Sequence, residues 1–296
     1  MTTLRLAIVT DSHLCSPETP YGFWHDTLLL PESWRLWDEV LDVINHADVD
    51  AVLLLGDVTN FAEPGILARA LRKLADLRKP TYVVAGNHDV GHGRDAVERA
   101  VEALKEPTVT SPTFAPYSIP GFPDFLLAGV KISGDTSTGY RIAHPVELRP
   151  VASAADLPLI LMSHYPVIDC QSDFVSQGLK YPDDLRGAAE LYEALSRREP
   201  PTVILHGHLH RQHSMCRAQI LQLGMAPLVE WPHAATFLTL RNETAELSVE
   251  RTVRRVRGEP GSLPSGPTPR PEHWILRNGR WIVASHSDAE SSPPPN

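Results

Sequence analysis

Five short groups in this 296-residue sequence have the residue types and spacing to hold cations. They are Thr10-Asp11-Ser12-His13, Gly56-Asp57-Val58-Thr59-Asn60, Gly86-Asn87-His88-Asp89, Ser163-His164-Tyr165-Pro166 and His206-Gly207-His208-Leu209-His210. Between them they offer Asp, Asn and several His, a mixed oxygen and nitrogen donor set that suits divalent transition metals better than Mg. In extended backbone the Asp-x-His period puts alternate side chains on one side, so Asp11 and His13 are expected to share an ion. His208 and His210 have the same period. Gly56, Gly86 and Gly207 are expected to allow sharp turns and close backbone approach.

Each group follows an apolar run rich in Val, Ile and Leu: Leu4–Thr10, Ala51–Leu55, Thr81–Ala85, Leu159–Ser163 and Thr202–Leu205. The runs are nearly continuous, as expected of strands covered on both faces. Helical spacing appears between them. Ser33–His46 places Trp34, Trp37, Val40, Leu41 and Ile44 on one stripe, with Ser33 as the expected N-cap. Pro64–Leu77 opens with proline and spaces Ile66, Leu67, Ala70, Leu71 and Leu74 the same way; Arg94–Leu104 and Asp183–Leu195 look similar. Alternating strands and helices predict an α/β fold with a largely parallel centre. Ligands in such folds bind beyond the carboxyl ends of strands, where the five tips would meet.

The five groups, in this order over residues 11 to 210, resemble the calcineurin-like metallophosphoesterases. The Asp11-Ser12-His13-Leu14 start is most similar to class III cyclic-nucleotide phosphodiesterases and glycerophosphodiesterases. The resemblance implies a four-layer αββα sandwich with a β-rich C-terminal section. It implies that Asp11, His13 and His210 bind one metal, that Asn87, His164 and His208 bind a second, and that Asp57 bridges them. His88 would act on the substrate's phosphoryl or leaving-group oxygen, with Asp89 holding its ring. Two cations roughly 3.5–4 Å apart clamp an in-line phosphoryl displacement and lower the pKa of bound water to about 7. The implied cofactors are two divalent ions per chain, Mn, Fe, Zn, Ni or Co, with Mn and Fe favoured. The second group departs from many relatives, which carry an acid where Asn60 stands. Phosphoprotein phosphatases carry Asp-Arg there, and the missing arginine disfavours that activity.

The expected function is hydrolysis of a phosphodiester, cyclic nucleotide or glycerophosphodiester-like. Alternatives on the same centre are a phosphomonoesterase or pyrophosphohydrolase, a DNA nuclease, or a non-catalytic scaffold resembling the retromer subunit. With 27 basic and 36 acidic side chains the net charge is −9, which disfavours an extended nucleic-acid surface but not a small phosphate-ester substrate. Three cysteines are too few and scattered for a disulfide framework, and no segment reads as a signal peptide or membrane span, so a cytoplasmic location is expected.

The domain is expected to cover residues 1–257, closing with strands at Gln219–Leu223, Ala235–Arg241 and Glu246–Val253. A linker over 258–272, with five prolines and three glycines, follows. A hairpin over 273–284 turns at Asn278-Gly279, and a disordered tail fills 285–296. The hairpin is expected to dock on the body or on a partner subunit, making a homo-oligomer through this β section one expectation. Other residues have blander readings: His206 as structural support, His92 as a solvated loop histidine, Trp34 and Trp37 as core. The aromatic loop Tyr21–His25 would pack on the body or overhang the cleft, and Arg251, Arg254, Arg255 and Arg257 would form a solvated edge or subunit contact, with phosphate binding as the alternative.

Overall fold

The structure, a computed structural model, describes residues 2–16, 18, 28–91, 94–143, 156–179, 184–243, 246–256 and 270–284. The aromatic loop Tyr21–His25, His92, Arg257, most of the 258–272 linker and the 285–296 tail therefore lie outside the described residues.

Among the described residues the chain builds two large sheets and two two-stranded ribbons. Its strands are β1 (Thr2–Val9), β2 (Ala51–Leu55), β3 (Thr81–Val84), β4 (Val90–Gly91), β5 (Arg94–Asp95), β6 (Val109–Thr110), β7 (Tyr117–Ile119), β8 (Phe122–Gly129) and β9 (Ile132–Asp135). There follow β10 (Gly139–Ile142), β11 (Leu159–Met162), β12 (Thr202–His206), β13 (His213–Arg217), β14 (Ile220–Gly224), β15 (Ala234–Asn242), β16 (Leu247–Arg255), β17 (Glu272–Arg277) and β18 (Arg280–Val283). The larger sheet has eight strands in the order β18-β17-β16-β15-β1-β2-β3-β6, and the smaller has six in the order β13-β14-β12-β11-β8-β7. Neighbours within β1-β2-β3-β6 and within β8-β11-β12-β14 run parallel.

Strand alternation explains the layering. Leu4, Leu6 and Ile8 of β1 pack with Phe125 and Leu127 of β8 and with Ile160 and Met162 of β11, filling the space between the sheets. Ala7 and Val9 point the other way, onto α1 (Ser33–Asn45), α2 (Pro64–Ala75) and α3 (Ala96–Leu104). Leu159 and Leu161 likewise face Leu191 and Leu195 across the outer side of the smaller sheet. α4 (Gln171–Ser176) and α5 (Ala188–Ser196) lie on this half of the chain, and α5 carries those two leucines. The result is the expected αββα sandwich, in which strands buried on both faces read as unbroken apolar runs.

Several local expectations change. Ser33 is not an N-cap: its backbone is already helical (φ −55°, ψ −42°), the 3₁₀ turn Leu30–Glu32 leads directly into α1, and its hydroxyl is buried without a hydrogen-bond partner. The helix expected at Arg94–Leu104 starts at Ala96, because Asp95 takes the cap position and accepts from Glu98 N–H at 3.0 Å. The helix expected from Asp183 begins at Ala188, after Gly187 at φ +92°. The closing section is divided between the sheets: β14 joins the smaller, while β15 and β16 join the larger. At Asn278-Gly279 both residues have positive φ, as a two-residue hairpin turn of this hand requires. This hairpin extends the larger sheet through β17, and Trp281 Nε1–H donates to Gln219 O at 2.9 Å. Trp37 is fully buried in the core, while Trp34 is half-buried beneath the Arg69 guanidinium. Arg251 is no solvated edge residue: it is 1% exposed, pairs with Glu272 of β17 and donates to Gly224 O and His213 O.

Candidate metal centre

The loops that follow β1, β2, β3, β11 and β12 meet at one end of the two sheets. Backbone bonds tie them together: Asp11 N–H donates to Gly56 O (3.1 Å), His13 N–H to Asp57 O (2.9 Å) and Gly207 N–H to His164 O (3.1 Å). The conformation differs from the extended one expected for the Asp-x-His pairs. β1 stops at Val9, and Asp11, His13, Asp57, His208 and His210 all have left-handed backbone, with φ between 42° and 66°. The side chains still converge, but through tight turns instead of strand alternation. Gly86 and Gly207 are required by close approach: a Cβ at Gly86 would lie 2.1 Å from Asp57 Oδ1, and one at Gly207 would lie 2.0 Å from Thr10 Oγ1.

The expected ligand residues come together, with His13, Asp11, Asp57 and His164 buried. His210 Nε2 is 3.3 Å from Asp11 Oδ1 and 3.3 Å from His13 Nε2. Asp57 Oδ2 is 3.3 Å from His164 Nε2 and 3.6 Å from His13 Nε2, and Asn87 Oδ1 is 3.1 Å from His164 Nε2. Three groups place one donor atom per residue within 4.8 Å: Asp11/His13/His210, His13/Asp57/His88 and Asp11/Asp57/His164. His208 edges the His164 ring at a centroid distance of 5.1 Å and stacks on Tyr165 at 3.9 Å.

Proton bookkeeping shows that cations fit here. His164 Nδ1–H donates to Leu55 O (2.8 Å), His210 Nδ1–H to Glu230 Oε2 (2.8 Å) and His13 Nδ1–H to Asn60 Oδ1 (3.1 Å). In each neutral ring the Nε2 lone pair then faces other acceptors. Asp11 Oδ2 and His208 Nε2 are buried without any hydrogen-bond partner. Buried acceptors crowded without donors are costly unless positive charge lies among them.

Without cations, protons supply that charge. Burial pushes the imidazoles of His13, His164, His208 and His210 toward their neutral forms, but the Asp57 charge overrides this at His164, raising its pKa to about 9, and the Asp11 charge does so at His210, raising it to about 10. Burial prevails at His13 and His208, which fall to about 3. For Asp11 and Asp57 burial favours the neutral acid, yet the paired imidazoles hold both below the ordinary carboxylate range.

The structure alters the expected support of His88. Asp89 does not hold that ring: its carboxylate accepts from Val58 N–H, Thr59 N–H, Thr59 Oγ1–H and Gly86 N–H at 2.8–3.0 Å, fastening the second loop to the third. Burial and the Asp57 charge raise the Asp89 pKa to about 6, with these donors pulling the other way. The His88 ring instead donates Nδ1–H to Asn60 O at 2.9 Å, and His88 N–H donates to Asp57 Oδ1 at 2.9 Å. Asn60 thus steadies both His13, through its side chain, and His88, through its carbonyl.

Glu230 also supports the site, although no motif marks it in the sequence. Its segment is fixed by Leu228 N–H donating to Thr10 O and Val229 N–H donating to Asp11 O. His206 is fully buried; its Nδ1–H donates to Gly207 O at 2.8 Å and its Nε2 lies 3.2 Å from His213 Nε2, a supporting role as expected.

The calcineurin-like phosphoesterase family profile matches residues 4–212, most of the chain and every one of the five groups. The chain belongs to the calcineurin-like phosphoesterase family. Within this family it is similar to a probable cyclic nucleotide phosphodiesterase of Rhodopseudomonas palustris, at 29% identity over 180 residues covering 56% of this chain and 58% of that protein. The chain thus spans under two thirds of that relative's length. Its fold is similar to that of a dimetal phosphatase from Danio rerio (TM-score 0.61, 13% identity, 83% of this chain and 95% of that one). It is also similar to that of the protein TT1561 from Thermus thermophilus (TM-score 0.54, 14% identity, 86% of this chain and 100% of that one). The three candidate metal-binding groups all lie within the residues that match this family. Among the described residues no helix is long and apolar enough to cross a membrane.

Proposed function

We propose that this phosphoesterase hydrolyses phosphodiesters, of the cyclic-nucleotide or glycerophosphodiester class, on a dinuclear centre. The observation that carries the reading is the set of inward-facing imidazole Nε2 atoms of His13, His164, His208 and His210 around Asp11, Asp57 and Asn87. Asp11, His13 and His210 would hold one cation, Asn87, His164 and His208 the other, with Asp57 between them. The mixed donor set suits Mn or Fe, with Zn, Ni and Co as competitors. When bound, two such ions supply Lewis-acid polarisation of the phosphoryl oxygens and an acidified water.

The chain's own groups position and protonate. With Nδ1–H committed to Asn60 O, His88 has its other ring nitrogen to present to the departing oxygen. A diester loses an alkoxide, whose departure benefits most from such a donor. The name of the R. palustris relative supports the diester class, while the missing arginine after the second group weighs against a phosphoprotein phosphatase. The test is a substrate panel on the Mn-loaded protein: 3′,5′-cyclic AMP, glycerophosphoethanolamine, p-nitrophenyl phosphate and single-stranded DNA. The expected result is turnover of one or both small diesters above the monoester and the DNA; preference for the monoester would overturn it.

A further inference from the structure

The loop that carries His208 and His210 runs over residues 207–212, between β12 and β13. A ring contact joins its two ends. His206, the last residue of β12, gives Nδ1–H to Gly207 O at 2.8 Å. Its Nε2 is thereby left as an acceptor, 3.2 Å from Nε2 of His213, the first residue of β13. The Phe174 ring meets His213 at right angles, with the centroids 5.3 Å apart. Both histidines pair with the same residue of β14: His206 lies opposite Gly224 in parallel register and His213 opposite it in antiparallel register.

Arg251 of β16 grips this base from below. Its guanidinium donates to Gly224 O at 2.8 Å and to His213 O at 3.1 Å. A planar guanidinium forks onto two acceptors at a fixed spacing, so its position sets that of both strands. The group is buried, and its charge needs a partner. The C-terminal hairpin supplies one: Glu272 of β17 accepts from Arg251 Nε–H at 2.9 Å, and the Trp274 ring centre lies 5.2 Å from the guanidinium carbon. Each step from Glu272 through Arg251 and the His206–His213 pair to the loop is a direct contact. The hairpin's other anchors lead elsewhere. Trp281 Nε1–H donates to Gln219 O in the turn between β13 and β14, and Arg277 pairs with Glu246 just before β16.

We propose that Arg251 and Glu272 are positioning residues of the metal centre, through which the C-terminal hairpin holds in place the loop that presents His208 and His210. The proposal rests on the ligand assignment given above. It extends the machinery to residues beyond position 212, where the family match ends.

The experiment titrates the full chain with Mn(II) after chelator treatment and reads the free ion by electron paramagnetic resonance. It compares the wild type with Glu272→Gln, His213→Phe and Trp281→Phe. Glu272→Gln and His213→Phe should each weaken Mn binding about tenfold, as when the outer partner of a metal ligand is removed. The rate on bis(p-nitrophenyl) phosphate at saturating Mn should be largely kept in both. Trp281→Phe loosens the same hairpin at an anchor that does not reach the loop, and should bind Mn as the wild type does. Melting temperatures put the three variants on one stability scale, and far-UV circular dichroism confirms that each is folded; if Glu272→Gln does not fold, Glu272→Asp, which keeps the charge but shortens the reach, takes its place. Wild-type affinity in either the Glu272 or the His213 variant overturns the proposal. An equal loss in Trp281→Phe also overturns it, because the pair would then be ordinary support for the fold. A wild type that binds no Mn overturns the ligand assignment itself.

Discussion

Replacing Glu230 tests whether the outer partner of His210 governs metal affinity. Glu230 Oε2 accepts from His210 Nδ1–H at 2.8 Å, and both side chains are 17% exposed. The bond fixes the ring so that Nε2 faces Asp11 Oδ1 and His13 Nε2, and the carboxylate charge makes that nitrogen a stronger donor. A hydrogen bond to a charged group contributes roughly 1.5–3 kcal/mol, and the partial exposure places this one toward the lower end. At about 1.4 kcal/mol per tenfold, Glu230→Ala should weaken metal binding about 10- to 30-fold. Glu230→Gln retains an acceptor without the charge and should fall in between. The assay is the Mn dependence of bis(p-nitrophenyl) phosphate hydrolysis, with direct metal counts by mass spectrometry. Half-saturation should move to higher Mn, and the plateau rate should recover largely at saturation. A folded Glu230→Ala protein with unchanged half-saturation would refute the reasoning, as would a lowered plateau with unchanged half-saturation.

Four further outcomes are expected. Asp57→Asn should abolish activity and leave less than one metal per chain, because the carboxylate touches both His13 and His164; stoichiometry by mass spectrometry decides this. His88→Ala should keep both metals while losing about 10²–10⁴-fold in rate, more on alkyl than on p-nitrophenyl leaving groups; empty sites would contradict it. Gly207→Ala should impair activity by forcing Thr10 and Asp11 aside, since its Cβ would lie 2.0 Å from Thr10 Oγ1 and 2.7 Å from Asp11 Oδ2; metal content and kcat measure it. Chelator-treated protein should lose stability as pH rises from about 7 through 9–10, because His164 and His210 have folded pKa values of about 9 and 10, above the unfolded value, and their stabilising protons leave over that window. Melting temperatures across pH test this, and Mn affinity should rise over the same range as competing protons leave.

The strand–helix alternation and the meeting of the five groups at the strand ends were legible in the sequence because both use strong, local signals. The four-layer arrangement, by contrast, came from the family resemblance. Runs such as Ala51–Leu55 are buried along their whole length, and each of the five groups begins where such a run stops. What escaped notice depends on long-range partners. Glu230 lies 20 residues beyond His210 with no periodic signal, and it reaches the site only because Leu228 and Val229 bond to the end of β1. Arg251 sits in a basic run, but Glu272, across the linker, supplies the partner that accompanies its burial. The β7–β10 region was not legible as strands: Pro123, Gly129 and Gly134 interrupt the apolar pattern, and pairing with β11 orders β8. The role given to Asp89 failed for a similar reason. Adjacency to His88 suggested contact, whereas its carboxylate turns toward the backbone of the second loop.

The left-handed residues explain how the site is held in place. Left-handed backbone is uncommon for residues other than Gly and is energetically costly, but Asp, Asn and His enter it several-fold more often than most. Asp11, His13, Asp57, His208 and His210 are drawn from that tolerant set, so the residue types that donate to a cation also permit the turns that aim them. The strain persists because backbone bonds from neighbouring loops over-determine it: Asp11 N–H to Gly56 O, His13 N–H to Asp57 O and Leu14 N–H to Val58 O. The carboxylates are held from behind as well, Asp11 Oδ1 by His208 N–H and Asp57 Oδ1 by His88 N–H. Under the proposed ligand assignment, a metal would meet side chains whose backbone is already fixed, and it would have to displace the protons of His164 and His210. This explains why proton release and outer partners such as Glu230, more than loop ordering, should set the affinity of this centre.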